Sequence, residues 1–120
     1  MRIEKIILLH SIGLKSFINA RNELILIPQI NVYFSLDNVE NELDFNCKVL
    51  EFCSRCCVKG CSDYYQRIGR KMVNTLLNTN FKYKDFELIY QMLGNRIRHN
   101  LTIEFIKNGY DLELLKRSCI

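Results

Sequence analysis

The sequence contains only one proline and five glycines among its 120 residues. That scarcity excludes a long flexible linker or a low-complexity tract, because such segments are usually rich in these residues. No apolar run approaches the roughly 20 residues that a membrane-spanning helix requires. We therefore expect a single domain over residues 1–120, with no membrane segment and a chain long enough to enclose a hydrophobic core.

The amino terminus lacks the pattern of a secretory signal. Its short apolar run, M-R-I-E-K-I-I-L-L-H, is not followed by a small-residue cleavage site. We therefore expect the protein to stay in the reducing cytoplasm, where cysteines serve as thiols or metal ligands more often than as disulfides. The adjacent Cys56 and Cys57 would also be poor disulfide partners for each other.

Motifs of the common enzyme classes are missing as well, since the chain has no phosphate-binding loop, no nucleophile elbow and no paired carboxylates. The stretch G-N-R-I-R-H-N at residues 94–100 resembles the R-N-x-x-x-H helix start of HEPN-type ribonucleases. The match covers Asn95 and His99, because Gly94 stands where the family has arginine. The resemblance implies RNA cleavage with His99 as general acid or base. The alternative is an ordinary helix cap followed by a solvated basic turn.

Cysteine, by contrast, is concentrated in one short stretch. On a helix, Cys53, Cys56 and Cys57 would share one face, since they stand at i, i+3 and i+4. Gly60 is predicted to end that helix in a left-handed turn that returns Cys61 toward the same point. Five of the six cysteines lie between residues 47 and 61, and they are Cys47, Cys53, Cys56, Cys57 and Cys61.

We predict from this spacing a structural zinc site, because four thiolates form the tetrahedral cage that zinc prefers. Such a site is closed to water, which argues for a structural role and against metal catalysis. Cys47 lies about 9 Å along the helix axis from Cys53 and is predicted to belong to the core. In an alternative ligand set, Cys47 or His99 replaces one of the four cysteines. If no metal is bound, the cysteines are instead buried, reduced thiols. The predicted zinc ligands are Cys53, Cys56, Cys57 and Cys61.

The secondary-structure pattern divides the chain into a β-rich first third and a helical remainder. Residues 2–9 are β-prone, and residues 23–35 are the clearest strand material, with Pro28 marking an edge, a bulge or a break. Asp37 and Asn38 are the predicted cap of the first helix. The fold class is therefore α+β, with a short hairpin or small sheet followed by a bundle of about four helices, stapled by the metal site. Helices are predicted over about 39–57, 62–78, 84–93 and 96–108, with a short turn at 111–116.

The excess of positive charge is confined to the second half. Residues 1–60 carry seven basic and seven acidic side chains, whereas residues 61–120 carry ten and six, which gives the net charge of +4. This distribution favours an acidic protein surface or a nucleic acid as partner, although a merely solvated helical surface is the alternative. The predicted partner-binding residues are Arg67, Arg70, Lys71, Arg96 and Arg98, joined in one patch by Lys82 and Lys84 and interleaved with Tyr64, Tyr65 and Tyr83.

The carboxyl-terminal half adds a resemblance. The ending E-L-I-Y-Q-M-L-G-N-R-I-R-H-N-L-T-I-E-F-I-K-N-G-Y-D-L-E-L-L, with F-C-S-R-C-C upstream, resembles small proteins of phages and mobile elements in Gram-positive bacteria, over residues 36–115. Some of those proteins are anti-CRISPRs that inhibit Cas9. The resemblance implies a non-enzymatic protein, without a small-molecule substrate, that binds the Cas9–guide RNA complex and blocks target-DNA loading or cleavage. Such proteins differ widely in fold, so none of their functional residues is carried over.

The charge of the chain bears on that mechanism. A basic protein is poorly suited to mimic the DNA duplex that Cas9 binds in its own basic groove. Binding to an acidic or mixed face of Cas9 is therefore favoured over DNA mimicry. A small phage-type regulator that binds nucleic acid through the basic helices is the second interpretation, and the HEPN-like ribonuclease is the third.

Overall fold

The computed structural model describes residues 2–93 and 99–118. Its strands form one antiparallel sheet in the order β1-β2-β3, and six helices belong to the described part of the chain. The predicted α+β class with a small sheet is therefore confirmed, although the helices outnumber the four expected. The elements are α1 (Arg2–Ser11), β1 (Phe17–Ile18), β2 (Glu23–Ile27), a 3₁₀ turn (Pro28–Ile30), β3 (Val32–Ser35), α2 (Glu42–Cys56), α3 (Asp63–Leu77), α4 (Tyr83–Leu93), α5 (His99–Lys107) and α6 (Leu112–Ser118).

The amino-terminal helix departs from the sequence-based prediction. Residues 2–9 were predicted to be β-prone, but they lie within α1. Leu9 is fully buried and Ile6 packs against the core, and only a helical period places these two positions on one face. Lys5 fixes the helix in place by donating a hydrogen bond of 2.9 Å to the carbonyl oxygen of Leu76 in α3. Packing on α3 has therefore overridden the strand propensity of the isoleucines and leucines.

Residues 23–35 form two antiparallel strands, and the predicted break at Pro28 is confirmed. Pro28 begins the 3₁₀ turn between β2 and β3. Strand β2 is the central strand, and its residues 24–27 are all buried. Leu24 pairs with Phe34 across the β2–β3 ladder. The sheet thus contributes a continuous apolar strand to the core.

Helix α2 begins at Glu42 and not at about residue 39. The cap is Asn41, whose side-chain oxygen accepts a hydrogen bond of 2.9 Å from the backbone N–H of Asp44. The prediction of Asp37 and Asn38 as the cap was therefore wrong. Asn38 has a φ of +67°, which is the left-handed conformation of a turn that precedes the helix.

The remaining helices lie close to their predicted positions. Helix α3 begins next to the predicted start at residue 62, and Ser62 is its cap, since its side chain accepts a hydrogen bond from the backbone N–H of Tyr65. The predicted start of the fourth helix at Arg96 lies outside the described residues. The predicted turn at 111–116 is a short helix, α6.

One hydrophobic cluster contains residues from all six helices and from β2 and β3. Helix α2 contacts α3, α4 and α5, so it lies near the centre of the helical part. Three aromatic rings pack together near α5. The ring centroids of Phe81 and Phe105 lie 6.1 Å apart, and the ring centroid of Tyr110 lies 5.5 Å from that of Phe105. This packing joins the loop before α4 to α5 and to the residues that follow α5.

Candidate functional site

The cysteine-rich end of α2 is buried against α3. Cys53, Cys56 and Cys57 are fully buried. Gly60 has a φ of +89°, so the left-handed turn predicted there is confirmed, although it lies in the loop after the helix and not at the helix end. The turn returns the half-buried Cys61 until its Sγ atom lies 3.5 Å from the carbonyl oxygen of Arg55.

The thiols meet as two pairs, Cys53 with Cys57 and Cys56 with Cys61. Within residues 2–93 and 99–118, no three His, Cys, Asp or Glu side chains converge in an arrangement that could hold a metal ion. The structure therefore does not show the metal staple, and zinc at these four residues stays a prediction. The burial of the α2 cysteines agrees with the alternative of reduced thiols that pack as apolar side chains.

Burial raises the pKa of the Cys56 thiol, and the paired Cys61 raises it further. The pKa of Cys57 is raised mainly by burial and then by its contact with Cys53, while the nearby Arg70 opposes these effects only in part. Loss of water disfavours the charged thiolate. In the absence of a metal, both side chains are therefore neutral thiols at neutral pH, which makes them poor nucleophiles.

Arg70 links the cysteine region to the beginning of α4. Its Nη1 atom donates a hydrogen bond of 2.7 Å to the carbonyl oxygen of Cys57. Its guanidinium carbon lies 5.0 Å from the centroid of the Tyr83 ring, within range of a cation–π interaction. These contacts give Arg70 a structural role between three segments of the chain, and its predicted role in partner binding stays a prediction.

The other two described residues of that assignment, Arg67 and Lys71, are exposed and lie one turn apart on α3. Arg67 forms an ion pair of 2.7 Å with Asp63, and both side chains are largely exposed, so the pair adds little stability. The contact between Arg70 and Tyr83 connects this helix to the start of α4. We define the basic–aromatic surface as the exposed residues Tyr64, Arg67, Lys71, Lys82, Tyr83 and Lys84.

The sequence segment that contains this surface is mostly basic, and Asp85 and Glu87 follow it on α4. Residues 59–84 contain six basic side chains and a single acidic one, Asp63, which gives a net charge of +5 for the segment. Tyr64 is 66% exposed and Tyr83 is 48% exposed. Large aromatic rings that remain accessible between cations are suited to contact a partner with negative charge.

Four predicted functional positions cannot be placed in the structure. Arg96 and Arg98 lie outside the described residues, and so do Asn95 and the side chain of His99. The extension of the basic patch to these arginines and the HEPN-like ribonuclease site therefore stay predictions.

Sequence reasoning missed an exposed apolar region around α1. Ile7, Leu8, Ile12 and Phe17 are exposed, although each is a large hydrophobic residue. The misassignment of residues 2–9 concealed this region. The i, i+3 spacing of Ile6 and Leu9 could have indicated a helix. A helix that turns these two side chains toward the core exposes Ile7 and Leu8 to solvent.

No family model matches the chain, and no curated protein and no solved structure matches it. The resemblance to anti-CRISPR proteins therefore stays a prediction. None of the helices in the described part of the chain combines the length and the apolar character needed to cross a membrane.

Proposed function

We propose that the protein is a non-enzymatic interaction protein that binds one partner stoichiometrically through the basic–aromatic surface. The partner implied by the sequence resemblance is the Cas9–guide RNA complex, in which binding would block target-DNA loading or cleavage. The observation that supports this proposal is the joint exposure of Tyr64 and Tyr83 within a segment of net charge +5. Tyrosine and arginine are enriched in the energetically important parts of protein interfaces.

The sign of the charge selects the kind of face to which the surface binds. A basic surface is repelled by the basic groove that holds DNA and is attracted to acidic or mixed faces of Cas9. Long-range attraction accelerates the encounter, and salt screens it over about 8–10 Å at physiological ionic strength. We therefore expect added salt to slow association more than it accelerates dissociation.

A second candidate is a small regulator that binds nucleic acid directly. The same two tyrosines favour it, because exposed aromatic rings beside cations form the stacking platforms of single-strand binding proteins. Binding of this kind weakens steeply with salt, since neutralising phosphates releases counterions.

The test is a charge reversal at Arg67 and Lys71 together. Both side chains are exposed, so the fold should be retained, whereas Arg70 is left unchanged because of its contacts with Cys57 and Tyr83. In a Cas9 cleavage assay the unmodified protein should inhibit up to a fixed ratio, and the double variant should bind at least about tenfold more weakly.

The matched control is Lys107→Glu with Lys116→Glu, which makes the same change in net charge on α5 and α6. This control should inhibit as the unmodified protein does. Tighter binding to free RNA or DNA than to the Cas9 complex would favour the regulator. Inhibition with turnover at sub-stoichiometric protein would overturn the non-enzymatic proposal.

A further inference from the structure

A cavity of about 650 Å³ lies between the end of α1, the segment that leads into β1, and the 3₁₀ turn at Pro28. This volume falls within the range of small-molecule sites, which is about 300–1,000 Å³. Its apolar wall is formed mainly by Leu14, Phe17 and Pro28. Phe17 is 50% exposed, so one aromatic face is available to an occupant.

The chain itself does not fill the space beside Gly13. Gly13 lines the cavity, and a Cβ atom placed on it would meet nothing within 4 Å. Its φ of +84° is a conformation that favours glycine over any residue with a side chain. The turn after α1 therefore leaves an open apolar recess.

The recess is held in shape by His10. The Nε2 atom of His10 lies 2.7 Å from the carbonyl oxygen of Ser16. The backbone N–H of Ser16 also lies 3.3 Å from the same Nε2 atom, so the imidazole bonds to Ser16 in either tautomer, as donor to the carbonyl oxygen or as acceptor from the N–H. The bond ties the end of α1 to the residue before β1 and pre-forms the cavity, which lowers the entropic cost of binding.

The lining of the cavity contains a basic residue and no acidic residue. Lys15 lines it, and none of its eight lining residues is acidic. The hydroxyl of Ser16, another lining residue, is buried and has no hydrogen-bond partner in the structure. An unpaired buried hydroxyl is uncommon in folded proteins.

We infer that this cavity binds a small amphipathic anion, with its apolar body against Leu14, Phe17 and Pro28 and its single acidic group near Lys15. The inference is independent of the proposed function, since the cavity shares no residue with the basic–aromatic surface.

The probe for the test is anilinonaphthalene sulfonate, which joins an aromatic body to one sulfonate group. We expect saturable binding of about one probe per chain, followed by fluorescence, with amide resonance shifts confined to residues 10–17 and to Gln29. Lys15→Glu should weaken binding by about tenfold or more, and Phe17→Ala should weaken it as well.

Lys107→Glu is the matched control for the charge change, because Lys107 is exposed on α5, and it should bind the probe as the unmodified protein does. The amide spectrum of each variant verifies that it is folded. Three results would overturn the inference: no saturable binding below about 1 mM, resonance shifts elsewhere, or unchanged binding by Lys15→Glu. If a partner protein protects the cavity residues while the probe never binds, the small-anion assignment is also overturned.

Discussion

Gly69 of α3 faces the carbonyl oxygen of Cys56 in α2, and a Cβ atom on residue 69 would lie 2.6 Å from that oxygen. The same atom would lie 3.2 Å from the ring of Phe52. The two helices therefore approach each other at a point where only a hydrogen atom fits. This approach covers the end of α2 and explains why Cys56 has no exposed surface.

We predict that Gly69→Ala destabilises the protein by about 1–3 kcal/mol, because the added methyl group must displace backbone. Alanine in a helix interior otherwise stabilises by about 0.5–1 kcal/mol relative to glycine, so a loss of stability shows that the close contact dominates. Urea unfolding measures the change. Ser54→Ala on the exposed side of α2 is the control and should stay within about 0.5 kcal/mol. A stabilised Gly69→Ala protein would show that the helices separate easily.

Asn74 fixes the loop between α3 and α4. Its Oδ1 atom accepts hydrogen bonds from the backbone N–H of Phe81 at 2.9 Å and from the hydroxyl of Thr79 at 3.0 Å, and its Nδ2 atom donates to the carbonyl oxygen of Phe81 at 3.1 Å. We predict that Asn74→Ala lowers the free energy of unfolding by about 2–3 kcal/mol, since three bonds are lost at about 1 kcal/mol each.

Asn74→Asp separates the two halves of this arrangement, because it retains the acceptor and loses the donor. Its stability should lie between those of the native protein and Asn74→Ala. Thr75→Ala is the control, since the hydroxyl of Thr75 bonds to a carbonyl oxygen of its own helix. Equal stability of Asn74→Ala and Thr75→Ala would contradict the role of Asn74.

Tyr110 makes stability sensitive to alkali. Burial is the main cause that raises the pKa of its phenol to about 12 from an ordinary value of 10.0, and Glu42 and Cys47 raise it further. A group whose pKa is raised by folding contributes stability that is fully present below the unfolded pKa and is lost as the pH rises through the folded one. Stability should therefore decline between about pH 10 and pH 12.

The comparison that isolates this effect is Tyr110→Phe, measured by urea unfolding across the same pH interval. Cys56 and Cys57 have raised pKa values and contribute a decline of the same sign, but they are common to both proteins. The native protein should lose stability with pH more steeply than the variant. Parallel curves would show that the phenol does not titrate differently in the folded state.

The zinc prediction is tested by metal analysis of the purified protein. About one zinc per chain is expected if Cys53, Cys56, Cys57 and Cys61 form the site. Cys57→Ser should then lose the metal while Cys47→Ser retains it, and removal of zinc should lower the melting temperature, since binding free energy is folding free energy. If the purified protein contains no zinc, the zinc prediction is wrong and the buried cysteines serve as apolar packing residues.

Features of the fold that depend on a few neighbouring residues could be predicted from the sequence. Pro28 predicted the break between β2 and β3 because proline cannot donate to a strand ladder. Ser62 predicted the start of α3 because its hydroxyl is suited to an exposed backbone N–H. Gly60 predicted a left-handed turn, because glycine has no Cβ atom to disfavour a positive φ. Each of these effects operates within about one turn of chain.

Features that depend on contacts between residues far apart in the sequence became visible only in the folded chain. Residues 2–9 are helical because α1 packs on α3 and buries Leu9 in the core, and this packing outweighs the strand propensity of the run. Arg70 joins the end of α2 to the start of α4 because the fold brings the carbonyl oxygen of Cys57 and the ring of Tyr83 to its guanidinium group. The four cysteines meet as pairs because helix and loop geometry, and not their spacing alone, places the sulfur atoms. The cavity beside Gly13 arises in the same way, since three separate segments form its walls.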